Sequence, residues 1–407
     1  MTEASFYADK QQDLPRRIYR NLHADLSPDL TVKQRSAVIT SFLKTVKLCH
    51  TRDEFLRMKL IIPSFLRENL SPAEKKIIEE TFSELREKRR HRLDPIYPIC
   101  SDEFVFDRVF FQSVFRHKRE PIFSRSNSIY GVGSCFVLNI ARYLSGKGYA
   151  IEAFRRAEDI NSVFGNTLMF SLLQQDKKTI GKFVRTYLPQ LDSTNEQYEK
   201  LIKKEVKILE QLKTKLSTTD IIIVTLGNTI DAFMSEDEDF GCPSVFPRFL
   251  NAFQDVTVKG QTAITQVIKS YGGKYRLSGV SETLPVIGTM FKCLMSLNPK
   301  AKIFTTVSPV AINNTMGISE YDERGPIEAD CASKSTLRAC LEEVLQDDIF
   351  SRVRYFPSFE IVRWLGSTSA EQVFGRQDAA STHVSDQVLA SIYDYFEYLY
   401  AEGNEHQ

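Results

Sequence analysis

The clearest buried strand in the chain is the run Ile221-Ile222-Ile223-Val224-Thr225-Leu226. It carries no charge and is rich in β-branched residues, which is typical of a strand in a parallel sheet that helices cover on both faces. The run stops at Gly227-Asn228-Thr229, where turn-forming residues begin. We therefore expect a central strand whose carboxyl end opens into a polar loop.

Strands and helices alternate along the chain outward from this run. The pattern predicts further strands at 129–133, 149–154, 303–307 and 353–356, and helices at 135–146, 196–216, 286–297, 333–345 and 384–400. This alternation favours an α/β fold built on an open, doubly wound sheet.

The first hundred residues have a different character. Residues 36–48 and 72–92 carry apolar side chains at a spacing of three to four, which predicts amphipathic helices. Asp94-Pro95-Ile96-Tyr97-Pro98 then predicts a boundary. We interpret residues 1–100 as a helical N-terminal region that contacts a protein partner, and residues 101–407 as the domain that carries the chemistry.

Composition excludes several classes of function. The 407 residues are 42% apolar and 26% charged, as in an ordinary globular protein, and the net charge of +1 predicts no nucleic-acid partner. No apolar stretch is long enough for a transmembrane helix, and the first residues lack the pattern of a signal peptide. The seven scattered cysteines form no C-x-x-C pair, which favours a reducing, cytoplasmic setting.

Ser134, which ends the predicted strand 129–133, allows two compatible interpretations. A serine before an apolar helix is what an N-cap requires. A serine at a strand end is also well placed as a nucleophile, because the N–H groups of the following helix can stabilise an oxyanion. Cys135 is the rival nucleophile, although we favour its interpretation as a small buried apolar side chain.

A nucleophilic serine needs a base to take its proton, and the chain offers few. Of its six histidines, only His383 and His406 follow Ser134, and His406 is the penultimate residue of a polar tail. His383 is therefore the candidate general base. The alternative is a surface or capping histidine just before the last predicted helix.

Other polar residues near strand ends offer hydrogen bonds to an oxyanion. Asn228 has a side-chain amide, or simply closes a turn with Gly227. Gly165-Asn166 offers a backbone N–H and a second amide. The acidic run 236–239 is predicted to be a solvated loop, and we expect no metal site, because no histidine or spaced ligand set accompanies it.

Taken together, these residues resemble the GSCFA family. The name-giving motif is present as Gly133-Ser134-Cys135-Phe136, with Val137 where the family has alanine. Five further segments follow in the family's order: Thr225-Leu226-Gly227, Thr306-Val307-Ser308-Pro309-Val310, Ser333-Lys334-Ser335-Thr336-Leu337-Arg338, Tyr355-Phe356-Pro357-Ser358-Phe359-Glu360 and His383-Val384-Ser385. The resemblance covers residues from about 101 to 400.

The GSCFA family is similar to the SGNH (GDSL-like) hydrolases, which implies a three-layer, flavodoxin-like arrangement of the sheet. By this resemblance Ser134 is the nucleophile and His383 the base. Gly165 corresponds to the glycine and Asn228 to the asparagine that help to hold the oxyanion in those enzymes.

The chain departs from the SGNH pattern at two places. The acid of the triad usually stands three residues before the histidine, where this chain has Ala380, and the nearest acid is Asp378. We take Asp378 as the third member of the triad. The asparagine usually lies two residues after its glycine, whereas Asn228 follows Gly227 directly.

The resemblance implies a serine esterase or O-acyltransferase that acts on acyl esters, in particular acetyl esters linked to carbohydrate. No cofactor is expected for a hydrolase, whereas a transferase would take its acyl group from a donor such as acetyl-CoA. The alternative is a non-catalytic SGNH-like module whose site binds a carbohydrate or a protein partner.

Overall fold

The computed structural model describes residues 108–154, 156, 161–188, 195–250, 268–312, 324–368, 373–375 and 382–402, together with five residues between 72 and 80. The chain divides into two units, Met1–Cys100 and Ser101–Gln407, and the fold below belongs to the second. The helices predicted at 36–48 and 72–92 lie outside the described residues or almost wholly so, and the helical N-terminal region stays a prediction. Among the described residues, no helix combines the length and hydropathy that a membrane span needs.

A five-stranded parallel sheet forms the centre of the second unit. Its strands are β1 (Ser128–Gly133), β2 (Ala150–Ala153), β3 (Ile221–Leu226), β7 (Lys302–Val307) and β8 (Val353–Tyr355), in the order β2-β1-β3-β7-β8. Every pairing is parallel, with Ile129 opposite Ile221 and Ile221 opposite Lys302. This order is consistent with a flavodoxin-like fold, and it confirms the predicted α/β class with a parallel sheet.

Helices cover both faces of this sheet. They are α1 (Arg108–Phe115), α2 (Cys135–Gly146), α3 (Val163–Leu173), α4 (Lys177–Tyr187), α5 (Asn195–Thr218), α6 (Val280–Leu297), α7 (Pro326–Val344) and α8 (Asp386–Tyr400). Successive side chains of β3 enter different apolar clusters. Ile222 and Val224 pack with α3, α5, α6 and α7, whereas Ile221 and Ile223 pack with α1, α2 and α8. All six residues of β3 are buried, as predicted for a strand covered on both faces.

A second, antiparallel sheet was not predicted from the sequence. It consists of β4 (Ile230–Asp239), β5 (Cys242–Val245) and β6 (Lys274–Leu277), in the order β5-β4-β6. The prediction that residues 236–239 form a loop is wrong, because they belong to β4, where Glu238 and Asp239 pair with β5. The turn at Phe240-Gly241 has positive φ at both residues, 56° and 74°, which matches the twist of a two-residue hairpin.

Candidate active site

The carboxyl ends of β1 and β3 meet at the centre of the sheet. The chain leaves β1 toward β2 on one side and leaves β3 toward β7 on the other, so the strand order reverses between these neighbours. In open α/β sheets, ligands bind in the crevice outside such a switch point. Ser134 follows β1 directly, and Gly227-Asn228 follow β3.

Gly133 brings Ser134 close to β3. Its φ is +117°, and a Cβ at this position would lie 2.1 Å from the carbonyl oxygen of Thr225. Only glycine fits both the backbone angle and the close approach. As a result, the Ser134 N–H donates to Thr225 O at 2.9 Å and to Thr225 Oγ1 at 2.8 Å.

The hydroxyl of Ser134 does not cap the helix that follows it. Ser134 occupies the N-cap position of α2, yet its side chain accepts no hydrogen bond from the helix. Its Oγ instead hydrogen-bonds to Thr225 Oγ1 at 2.8 Å, and the residue is 2% exposed. The N-cap interpretation therefore describes the backbone of Ser134 and leaves the role of its hydroxyl open.

Ser134 lines a cavity of about 80 Å³, which we call the Ser134 cavity. Gly227, Asn228 and Ser308 line it from the other strand ends, and Val310, Ala311 and Ile312 give it an apolar wall. Among the described residues that line it there is no carboxylate, and Lys334 is the one charged side chain. Cys135 also lines the cavity and is only partly buried, which departs from its interpretation as a small buried apolar side chain.

Asn228 lines this cavity and also the smaller cavity beside it. Its Oδ1 accepts a hydrogen bond from the N–H of Ile230 at 2.9 Å, which fixes the orientation of the amide. Among the described residues, none accepts a hydrogen bond from Nδ2. The backbone here is held by Asn161 O, which accepts from Gly227 N at 3.0 Å and from Asn228 N at 2.9 Å. A Cβ at Gly227 would lie 2.4 Å from that oxygen, so this position also requires glycine.

Gly165 and Asn166 lie in the first turn of α3, beside Asn228 but outside the Ser134 cavity. Gly165 lines a smaller neighbouring cavity, and its N–H donates to Asp231 Oδ2 at 3.1 Å. The Nδ2 group of Asn166 donates to Ser162 O at 2.8 Å. Burial raises the pKa of Asp231, whose hydrogen bonds to backbone N–H groups act in the opposite direction.

Lys334 is the residue that the sequence-based search for site residues missed. It lies on α7, is 2% exposed, and its Nζ donates to Gly227 O at 2.5 Å and to Ser308 O at 2.7 Å. Burial lowers the pKa of Lys334 to about 8, and Asp330 partly opposes that change. The only signal in the sequence was its place in a segment shared with the GSCFA family, because a lysine on a helix is usually exposed.

Charged side chains also hold the loop 308–312, which forms one wall of the cavity. The Arg363 Nε–H donates to Pro309 O at 3.1 Å, and Asp330 Oδ1 accepts from the N–H of Ile312 at 2.9 Å. Arg363 and Asp330 form an ion pair with each other. The apolar wall is therefore fixed at two points by one charge pair.

His383 lies in a short paired segment beside this loop. Its carbonyl accepts from Gly375 N at 2.9 Å, and the next residue, Val384, pairs with Phe374, whose ring lies 5.4 Å from the guanidinium of Arg363. His383 is half-buried and is not among the residues that line the Ser134 cavity. Asp378 lies outside the described residues. The Ser134–His383–Asp378 triad stays a prediction.

Comparison with known families identifies the family of this chain. The model of the GSCFA family matches residues 128–396, about two thirds of the chain. The chain belongs to the GSCFA family. The GSCFA match begins with β1 and ends in α8, so it contains the whole parallel sheet and the Ser134 cavity. No curated protein matches the chain.

Proposed function

We propose that this GSCFA-family protein is an SGNH-like serine esterase or O-acyltransferase that acts on acetyl esters, in particular those linked to carbohydrate. One observation carries the proposal. Ser134 lines a cavity at the switch point of a parallel sheet, directly before α2, and Asn228 lines the same cavity. A nucleophile beside a helix start and an amide donor is what acyl transfer requires.

The proposed reaction proceeds through an acyl-enzyme. Ser134 Oγ attacks the carbonyl carbon of the ester, its proton passes to His383, and the carbonyl oxygen becomes an oxyanion. Collapse of this intermediate breaks the bond to the alcohol, which takes the proton from His383. Water in a hydrolase, or a sugar hydroxyl in a transferase, then attacks the acyl-serine with the same proton transfers.

Contacts near the carboxyl edge of the sheet support His383 as the base. Arg363 contacts both the loop 308–312 and the ring of Phe374. Phe374 pairs with Val384, which follows His383 directly. His383 is thereby linked to one wall of the cavity, and Asp378, five residues earlier, remains the proposed acid.

The size and lining of the cavity support a short acyl group. A volume of about 80 Å³ with Val310, Ala311 and Ile312 in its wall suits a methyl group better than a long chain. The carbohydrate and an acetyl-CoA donor rest on the resemblance to SGNH enzymes. Aryl acetate should therefore be turned over faster than aryl octanoate.

Labelling with a fluorophosphonate probe, located by peptide mass spectrometry, tests the nucleophile. We expect the label on Ser134 and its loss in Ser134→Ala, together with the loss of aryl acetate hydrolysis. Ser391→Ala, which changes a partly exposed serine on α8, is the matched control and should be labelled like the unmodified protein. A label on Cys135, or one that persists in Ser134→Ala, would refute the assignment.

The second candidate is a non-catalytic module that binds a carbohydrate or a protein partner. One observation favours it: Ser134 Oγ is buried and hydrogen-bonded to Thr225, where a triad would place it against a histidine. Absence of label and of turnover, together with binding of an acetylated sugar that Ser134→Ala retains, would support this candidate over the enzyme.

A further inference from the structure

Two backbone N–H groups near the Ser134 cavity, those of Ser134 and Gly165, already have acceptors. The N–H of Ser134 donates to the backbone oxygen and the hydroxyl of Thr225. The N–H of Gly165 donates to the carboxylate of Asp231. Besides the N–H groups at the start of α2, this leaves the neutral side-chain donor Asn228 Nδ2, and an oxyanion site gains from several donors held in place.

The geometry of Lys334 supplies a further donor. An ammonium group has three protons, and two of them are directed at Gly227 O and Ser308 O, at 2.5 and 2.7 Å. Among the described residues, no third acceptor lies within hydrogen-bond distance of Nζ. Because Lys334 lines the Ser134 cavity, the third proton is the one that a group inside the cavity can accept.

The hydroxyl of Ser308 is a second unused donor on the same cavity. Ser308 is 1% exposed, and its Oγ has no hydrogen-bond partner among the described residues. A buried hydroxyl without a partner carries a free-energy cost that a bound ligand removes. Ser308 therefore points independently to a ligand that accepts hydrogen bonds.

The charges of the described residues around Lys334 leave the cavity positive. Asp330 is paired with Arg363, so their charges nearly cancel, and no carboxylate is among the described residues that line the cavity. Cys135, from the start of α2, is the other titratable group that acts on Lys334. A fixed positive charge in a small buried cavity interacts with an anion far more strongly than it would in water.

We propose that the Lys334 ammonium and the Ser308 hydroxyl, together with the Asn228 amide, hold the oxyanion that forms when Ser134 is acylated. Lys334 is then a catalytic residue whose charge acts on the reacting oxygen. This inference rests on the proposed function, because it assigns the groups that stabilise the intermediate of that reaction.

The pH dependence of Ser134 labelling separates this role from that of a base. The pKa of Lys334 is lowered to about 8, so Lys334 is charged below that pH and loses its proton above it. If the charge holds the oxyanion, the rate of fluorophosphonate labelling falls as pH rises through about 8. If neutral Lys334 were the base for Ser134, the rate would rise over the same range, and that result would overturn the proposal.

Three variants complete the experiment, with the labelling rate measured between pH 6 and 10. Lys334→Met should slow the labelling of Ser134 about 100-fold, and its labelling rate should no longer fall above pH 8. Ser308→Ala should slow it about 5-fold and leave the fold unchanged, since the hydroxyl makes no hydrogen bond. Lys213→Met is the matched control, because Lys213 also donates to a backbone carbonyl, that of Gln175, away from the cavity. Ser134 in the Lys213→Met variant should be labelled at the rate of the unmodified protein.

The outcomes distinguish this inference from the proposed function. Labelling of Ser134 at an unchanged rate in both Lys334→Met and Ser308→Ala would refute the inference and leave the serine enzyme standing. A probe that never labels Ser134 would refute the proposed function itself. If Lys334→Met fails to fold, as judged by circular dichroism, the labelling rate of Ser308→Ala and the pH profile of the unmodified protein still test the inference.

Discussion

The conformation of Gly133 controls where Ser134 lies. Replacing Gly133 with alanine would impose a positive φ on a residue with a side chain and would place Cβ 2.1 Å from Thr225 O. A positive φ alone costs about 1–2 kcal/mol in a residue with a Cβ, and β1 or β3 would also have to move. We expect Gly133→Ala to lower the free energy of unfolding by more than about 4 kcal/mol, measured by urea denaturation.

Gly148 provides the matched control at the residue scale. Its φ of +87° is also positive, but a Cβ there would meet no atom within 4 Å. Gly148→Ala should therefore lower the free energy of unfolding only by the cost of a positive φ, about 1–2 kcal/mol. Equal losses of stability in the two variants would show that the contact with Thr225 does not constrain Gly133.

Single residues differ in how far the sequence reveals their role. Ser134 and Asn228 were found because they follow strands, and strand ends are visible in the pattern of apolar residues. Lys334 was not found, because its importance comes from two carbonyl groups that are 107 and 26 residues away in the chain. Likewise, nothing in the sequence shows that Asp231 accepts the N–H of Gly165, since that contact depends on the fold.

Among the elements, β3 and α2 were predicted from their patterns, whereas α1, α3, α4 and the second sheet were missed. The bounds of β3 and α2 are those predicted, because one is a continuous apolar run and the other an amphipathic helix that starts after glycine and serine. Helix α3 was missed because all eleven of its residues are buried, which leaves no polar face to reveal a period. The hairpin β4–β5 was missed because its turn, Phe240-Gly241, lacks the usual asparagine or aspartate.

A buried ion pair anchors helix α5. Arg156 donates to Glu205 at 2.6 and 3.2 Å and also to the carbonyl of Phe249 at 2.9 Å. Removing one partner leaves an uncompensated buried charge. We expect Glu205→Met to lower the free energy of unfolding by about 3–5 kcal/mol, and the double change with Arg156→Met to recover most of that loss. Thermal or urea unfolding of the three variants gives the coupling between the two residues.

An exposed pair on the same helix is the control for this prediction. Glu199, also on α5, pairs with Arg185 at the surface, where both side chains are about half exposed. Glu199→Met should leave the unfolding midpoint without a measurable change, because exposed pairs contribute little. If Glu205→Met is as harmless as Glu199→Met, the buried pair does not anchor α5.

For the whole molecule, the sequence predicted the class of the fold but not the order of its strands. The alternation of strands and helices indicates a parallel sheet, yet β3 lies between β1 and β7 because of pairings such as Ile223 with both Gly131 and Phe304. Such pairings between residues roughly 80 to 90 positions apart leave no local signal. The segments shared with the GSCFA family nevertheless converge, since Ser134, Gly227, Ser308 and Lys334 meet around one cavity.

The division of the chain leads to the last prediction, which concerns residues 1–100. The chain separates into the units Met1–Cys100 and Ser101–Gln407, and the parallel sheet, the helices on its two faces and the Ser134 cavity all belong to the second. We therefore expect a fragment of residues 101–407 to be soluble, to unfold cooperatively in urea, and to react with a fluorophosphonate at Ser134 at the rate of the full chain. Ser134→Ala in the same fragment is the control for specific labelling. An insoluble fragment, or a soluble one with a slower reaction at Ser134, would show that residues 1–100 are needed to complete the fold or the site.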